Sequence, residues 1–369
     1  MEIGLFLMPL HPADRPLLDT LREDAEKIIY ADELGFHEAW VGEHFSATTE
    51  PITSPLMFLA SLIPQTKNIR LCTGVVCLPN KHPAIVAGEV ALFDHLAEGR
   101  FVFGIGPGGL ASDMELFGNL DATVRNERLA ESISTILQIW SQDPPYEIAG
   151  KHWPINLTDN VVPELGVGYM AKPFQTPFPP IALSSMSPAS NSVKIAAQKG
   201  WRPVSANFAA ESTVISHWEK YLEGCEAAGR PATGEDWAVA RNIIVAESDA
   251  QAEDWLLDPE GSNYYYFTYL WDVLVRAEYT AVLKPEPDMA DEDVTIEAII
   301  KASVIYGSSR TVAERIVDLR ERSGPFGQLL MASMDMSGVN RERELATMRR
   351  FAEEVLPVVN ASRHEDRGS

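Results

Sequence analysis

The chain has 369 residues, 46% of them hydrophobic, enough for one large barrel or two ordinary domains. A formal net charge of −23 argues against a nucleic-acid binder, which needs clustered Lys and Arg, and no run approaches the roughly 20 apolar residues that span a bilayer. Cys72, Cys77 and Cys225 form no CxxC pair, so the sparse cysteine content suits a reducing cytoplasm, with core packing the ordinary role for Cys72 and Cys77.

The N-terminus, MEIGLFLMPLHPADR, has an acid before a short apolar run and no basic segment; it reads as a first strand, 3–9, rather than a signal peptide. The amphipathic stretch 22–35 predicts a helix stopped by Gly35, and HEAWVGE (37–43) a second strand. A short helix over 54–64, a strand over 69–79 and a helix over 84–99, closed by Gly99, follow. RFVFGIG (100–106) predicts the fourth strand and 124–140 a helix. Residues 141–179, rich in Pro and polar side chains, break the rhythm and read as an insertion of short strands and loop. Alternation resumes with strands over 179–185, 201–208 and 237–247 and helices over 190–200 and 211–229. A long, mostly helical stretch, 249–305, is interrupted by PEPDMADED; a last strand (327–334) and helix (341–359) precede the polar tail 361–369, expected to be disordered.

Short links between alternating strands and helices imply parallel pairing through helical crossovers. Eight such units predict an α/β chain folded as a TIM (β/α)8 barrel, a single domain over 1–360 with insertions after strands 4 and 7 (about 141–179 and 249–300). A doubly wound open sheet is the rival, but it rarely needs eight units in one series.

In such a barrel the site lies at the C-terminal ends of the strands. Strand 2 ends in Glu43 and His44. If strand geometry persists that far the two face opposite ways, one toward the site and the other toward the outer helix layer or a subunit interface, with Glu43 most simply a structural partner. Strand 4 ends in GIGPGG, a literal GxGxxG. It follows the fourth strand, Pro107 removes an N–H that a phosphate cradle would use, and no acid follows at the ribose-binding spacing. The loop therefore suits close approach of a flat ring through Gly106, or is a plain glycine turn. After strand 5, Ser185, Ser187 and Ser190 gather at a helix N-terminus, suited either to a monophosphate or to simple N-capping by Ser187 or Ser190. No metal motif occurs among the scattered histidines; Asp94 and His95 read as a helix-surface or packing pair, and there is no G-x-S-x-G elbow. The aromatic run NYYYFTYLWDVL (263–274) is either a lid over a pocket or a buried helix.

WVGEHF, together with TGVVCLPNKHPAIVAGEVALFDHLAEGRFVFGIGPGG, resembles the bacterial luciferase-like, flavin-dependent monooxygenase family. The likeness covers most of the chain and resumes at PPIALSSMSPASNSVKIAAQKGW and YGSSRTVAERI. MPLHP and GPGGLASDMELFGN are similar to the limonene-monooxygenase-like branch. The resemblance implies FMN bound at the strand C-termini, delivered reduced by a separate flavin reductase and reacting with O2 to give a C4a-peroxyflavin. That species would oxygenate a small apolar organic substrate such as a terpene or cyclic ketone. It implies a catalytic role for His44, a cis peptide between Gly74 and Val75 beneath the flavin ring, and a phosphate site on Ser185, Met186, Ser187 and Ser190. Gly106 stands where luciferase itself has a cysteine, so light emission is not implied. A homodimer is implied as well. The same fold also serves F420-dependent hydride transfer and non-catalytic flavin-binding partner subunits, although the presence of His44 argues against the latter.

Overall fold

In the computed structural model, which describes residues 1–8, 10–286 and 289–366, the apolar runs form eight parallel strands. They are β1 (Glu2–Leu7), β2 (Glu38–Val41), β3 (Arg70–Thr73), β4 (Phe101–Gly106), β5 (Ile181–Ser185), β6 (Arg202–Ser205), β7 (Ala238–Ala246) and β8 (Gln328–Ser333). They pair in chain order, and β8 returns to β1 in parallel register from Glu2↔Gln328 to Leu7↔Ser333. This cyclic order is that of a TIM (β/α)8 barrel, as expected. β4 and β7 are buried at every position, which is why they read as near-continuous apolar runs rather than alternating ones.

Both insertions fall where expected. After β4, Tyr146–Ile148 and Ile155–Leu157 form an antiparallel hairpin. After β7 come helices Asp249–Leu257, Ser262–Arg276 and Ile296–Ser303. Here the expectation needs correction. Val304–Ser308 is a strand, in parallel register with the end of β7 from Asn242↔Val304 to Ala246↔Ser308, and the helix Ser309–Ser323 follows it. No Gly or Pro separates this strand from the preceding helix, so one apolar pattern runs into the other. The third strand is also interrupted: β3 stops at Thr73, and Val76–Cys77 forms a separate short piece. The six-residue helix Ala111–Leu116, too short to show a period, was not expected. The last helical segment extends to Asp366, into the stretch read as a disordered tail. Pro9 of the first strand, Pro287 and Asp288 of PEPDMADED, and residues 367–369 lie outside the described residues.

The chain divides into two compact units: Met1–Trp40, Thr48–Glu50 and Ala182–Ser369, and Val41–Ala47 with Pro51–Ile181. In the second unit, helices Pro83–Leu96 and Ala122–Ser141 supply Phe93 and Trp140 to the aromatic side chains of β4; ring centroids lie 4.8 Å apart for Phe93 and Phe101 and 6.1 Å for Phe103 and Trp140. In the first unit, Tyr266 and Phe267 are buried among Leu256, Ile299, Ile300 and Met334. The aromatic helix therefore belongs to the core on that face.

The first unit also buries an ionic network where the chain leaves β1. His11, Asp24 and Lys27 are fully buried. His11 Nδ1 lies 2.8 Å from Asp335 and Nε2 3.2 Å from Asp24. Lys27 is 3.1 Å from Asp24 and donates to the Met334 carbonyl at 2.8 Å; Arg15 pairs with Glu23 at 2.8 Å and with Asp335. Burial opposes a charged His11, but a carboxylate at each ring nitrogen raises its pKa above 6.5. A raised folded-state pKa means that the stabilisation is fully present below 6.5 and is lost as pH rises through the folded value. His11→Asn is therefore expected to cost about 3–5 kcal/mol at pH 6, as loss of one partner of a buried ion pair does. The cost should shrink at alkaline pH; urea unfolding across that range checks it, and a cost independent of pH would contradict the assignment.

Candidate active site

β2 ends at Val41, two residues short of Glu43, so strand alternation does not govern where Glu43 and His44 point. Hydrogen bonds do. Glu43 is buried; its Oε1 accepts the Cys77 N–H at 3.1 Å, and its other oxygen pairs with Lys81. Burial is the largest influence on this carboxyl and raises its pKa, against the opposing pull of Lys81. Glu43 is thus scaffolding, as expected, but its contacts are to the segment 77–81.

His44 is anchored twice. Its backbone N–H donates to the Ile52 carbonyl at 3.1 Å, and its Nδ1 lies 3.3 Å from Asp113 Oδ2. Asp113, in the helix Ala111–Leu116, also accepts the backbone N–H groups of Phe45 (3.1 Å) and Ser46 (2.8 Å) and the Ser46 hydroxyl. Desolvation pushes the Asp113 pKa upward, but these hydrogen bonds, His44 first, outweigh it and hold the carboxyl down to about 2. An ionised Asp113 therefore fixes the His44 tautomer with hydrogen on Nδ1.

The other residues expected on the ring side lie in the same unit. Gly74 donates to the Val41 carbonyl at 2.6 Å, and the Gly74–Val75 peptide is cis, the bond expected to be so. Val76 and Cys77 then pair in parallel with Ile105 and Gly106, so Gly106 closes β4 opposite Cys77. Two residues on, Gly108 adopts φ +85°, and a Cβ there would come within 3.6 Å of Cys77 Sγ.

The phosphate-side residues lie in the first unit. Ser185 ends β5 with its hydroxyl buried and without a hydrogen-bond partner. Met186 and Ser187 are half-buried. The Ser187 carbonyl accepts from His217 Nε2 at 2.9 Å. Ala189, at φ +47°, donates its N–H to Ser216 Oγ at 2.8 Å. Ser190 caps the helix Asn191–Lys199 by accepting the Ser192 N–H at 3.3 Å. The capping reading thus holds for Ser190, while Ser185 keeps an unsatisfied hydroxyl near the start of the same helix. A buried hydroxyl without a partner, shortly before a helix N-terminus in sequence, fits a phosphate monoester.

Among the described residues, His11, Glu23 and Asp24 bring ligand-type atoms within 4.8 Å of one another. Arg15 and Lys27 already neutralise those carboxylates, so the cluster is an ion-pair network.

Sequence reasoning gave no role to Asp113 or His217. Asp113 lies in GPGGLASDMELFGN, 69 residues from His44, and His217 lies within a helix 30 residues from Ser187; neither spacing signals a pair.

Over residues 1–325 the chain matches the luciferase-like monooxygenase family, and it belongs to that family of enzymes. Its relatives include 4-hydroxyprotoasukamycin monooxygenase of Streptomyces nodosus subsp. asukaensis, 31% identical over 98% of this chain and 93% of the relative. Limonene 1,2-monooxygenase of Rhodococcus erythropolis is 28% identical over 98% and 87%. Among solved structures, the oxygenating constituent of 3,6-diketocamphane monooxygenase from Pseudomonas putida, a type II Baeyer-Villiger monooxygenase in complex with FMN, superposes with a TM-score of 0.86. It is 26% identical and covers 97% of this chain and 98% of its own.

Asp113→Ala would strip acceptors from His44, Phe45 and Ser46 together. The expected loss is about 1–3 kcal/mol of stability, with faster amide exchange at Phe45 and Ser46. Because the folded pKa is depressed, the Asp113 contribution is present above 3.8 and is lost as pH falls toward 2. Unchanged exchange at both amides would contradict the assignment.

Proposed function

We propose that the chain, acting through residues 1–360 as one barrel domain, is the oxygenase of a two-component system. It takes reduced FMN from a separate flavin reductase, uses O2, and oxygenates a small apolar organic substrate such as a terpene or cyclic ketone. The observation that carries this reading is the His44–Asp113 pair at the end of β2, in a chain of the luciferase-like monooxygenase family. Limonene and diketocamphane, named in its relatives, are the support for an apolar terpenoid or ketone substrate.

Bound reduced FMN supplies two electrons to O2, one oxygen atom passing to the substrate and the other to water. The remaining tasks fall to this chain. Asp113 fixes the His44 ring through Nδ1, which assigns proton transfer to Nε2. Glu43 holds the segment 77–81, and with it the partner of Gly106, in place. Gly74, Val75 and Gly106 form the ring-side residues, where small side chains permit close approach of a flat ring. Ser185, Met186, Ser187 and Ser190 form the phosphate side, with the Ser185 hydroxyl and the helix N-terminus as donors.

The reading extends to assembly and location. Helices Pro55–Ala60 and Pro83–Leu96 leave Met57 (76%), Ile85 (58%), Leu92 (60%) and Leu96 (54%) exposed, a face suited to a second copy of the chain. A cytoplasmic location fits three cysteines that are buried and unpaired. No helix among the described residues is long and apolar enough to cross a membrane.

Supplied with a flavin reductase, FMN and 18O2, the protein is expected to place one labelled atom into a terpene or cyclic ketone. His44→Ala should cut product formation by about 10²–10⁴-fold, the usual contribution of a positioned acid–base group, with FMN binding retained. Unchanged turnover would remove His44 from the chemistry. Reduction of F420 by an alcohol, with no label incorporated from 18O2, would replace the oxygenase reading with hydride transfer. Light scattering should give twice the mass of one chain, falling to one in a Leu92→Glu, Leu96→Glu variant; a monomer throughout would reject the dimer.

A further inference from the structure

The 185–190 segment is held by a chain of hydrogen bonds whose direction is fixed at both ends. Trp237 Nε1–H can only donate, and it donates to Ser205 Oγ at 3.0 Å. The Ser187 carbonyl can only accept, and His217 Nε2 lies 2.9 Å from it. Nε2 therefore carries the hydrogen. In the neutral ring Nδ1 is then the acceptor, 2.8 Å from Ser205 Oγ, whose hydroxyl hydrogen it takes. A single neutral tautomer satisfies every group, and Ser205 and His217 are both fully buried.

We propose that His217 is a positioning residue that keeps the 185–190 segment in the shape that takes the phosphate of the flavin nucleotide; this rests on the phosphate-side assignment made above. The helix Glu211–Ala228 grips the segment twice, through His217 at the Ser187 carbonyl and through Ser216 at the Ala189 N–H. The unsatisfied Ser185 hydroxyl, on the last residue of β5, precedes these two points. Loss of the His217 link frees the middle of the segment and leaves the Ser187 carbonyl without this donor.

Protonation would undo the arrangement. A hydrogen on Nδ1 removes the acceptor of the Ser205 hydroxyl at a site where water has no access. Burial lowers the His217 pKa from 6.5 against the raising effect of the bond to the Ser187 carbonyl, and the positive charge of Arg241 on β7 adds a smaller push downward, so the neutral form prevails at neutral pH. Other charges on the neighbouring helices are paired away from it: Lys194 with Glu223 at 2.9 Å, and Arg322 with Glu211.

The test compares dissociation constants of oxidised FMN and of riboflavin, which lacks the phosphate, by flavin fluorescence. The unmodified protein is expected to prefer FMN. His217→Leu should reduce FMN affinity about tenfold, the weight of one hydrogen bond in this setting, and leave riboflavin affinity unchanged. His217→Gln, whose amide N–H can reach the Ser187 carbonyl, should retain most of the preference. It should also flatten the pH dependence of that preference below 6.5 relative to the unmodified protein, since protonation of the phosphate itself is common to both. If His217→Leu does not fold, Ser205→Ala reads the same ratio and should lower it in the same sense. An FMN-to-riboflavin ratio that His217→Leu or Ser205→Ala leaves unchanged, in a protein that prefers FMN, overturns the role of His217 alone. No preference for FMN in the unmodified protein overturns the phosphate-side assignment and this proposal with it.

Discussion

A parallel ladder that closes on itself forces every strand to release its last backbone groups into loops at one end, because no tight turn can connect parallel neighbours. Those released N–H and C=O groups must find partners outside the ladder or pay a desolvation penalty. Side-chain carboxylates meet this need at the end of β2. Glu43 takes the Cys77 N–H, and Asp113 takes the N–H groups of Phe45 and Ser46. Asp113 Oδ2, which accepts the Phe45 N–H, also orients His44. The placement of His44 is therefore a by-product of a structural requirement, and the histidine inherits rigidity from loop backbone that had to be fixed anyway.

The two buried carboxylates do different work because their surroundings differ. Glu43 is deeply buried, and burial dominates its titration despite Lys81. Asp113 receives enough donors to overcome burial and stays ionised far below neutrality. A carboxylate that stays charged at neutral pH favours hydrogen on Nδ1 in the neutral His44 ring. The His11 network follows a third pattern, in which flanking carboxylates stabilise a cation inside the unit. It ties the helix Leu17–Glu33, through Asp24 and Lys27, to Met334 and Asp335 just beyond β8, and so belongs to the architecture.

Much of this fold was legible because its signals are local. The apolar runs of β1, β4 and β7 mark strands, and Gly35 and Gly99 adopt φ of +79° and +81° where helices were expected to stop. His44 was reachable from its place after the second strand together with the family likeness. Asp113 was not, because its role depends on a helix of six residues returning to a strand end far behind it in sequence. His217 was hidden for a similar reason: within its helix it is one more amphipathic position, and only the fold brings Ser187 and Ser205 to its two nitrogens. Val304–Ser308 was lost in an apolar run that changes from helix to strand without a break.

A net charge of −23 does not by itself decide the field at a buried position. Long-range repulsion by exposed acids is screened within about 8–10 Å of salt solution, so the local environment decides. Arg241 on β7 is fully buried, donates to the Ala209 carbonyl at 2.6 Å and has one guanidinium nitrogen without a hydrogen-bond partner. Burial with no compensating acid brings its pKa down to about 10, still well above neutrality, so the charge persists. A buried cation left without an acid is costly unless it serves something. Here it pins the backbone after β6 and adds to the burial that lowers the His217 pKa.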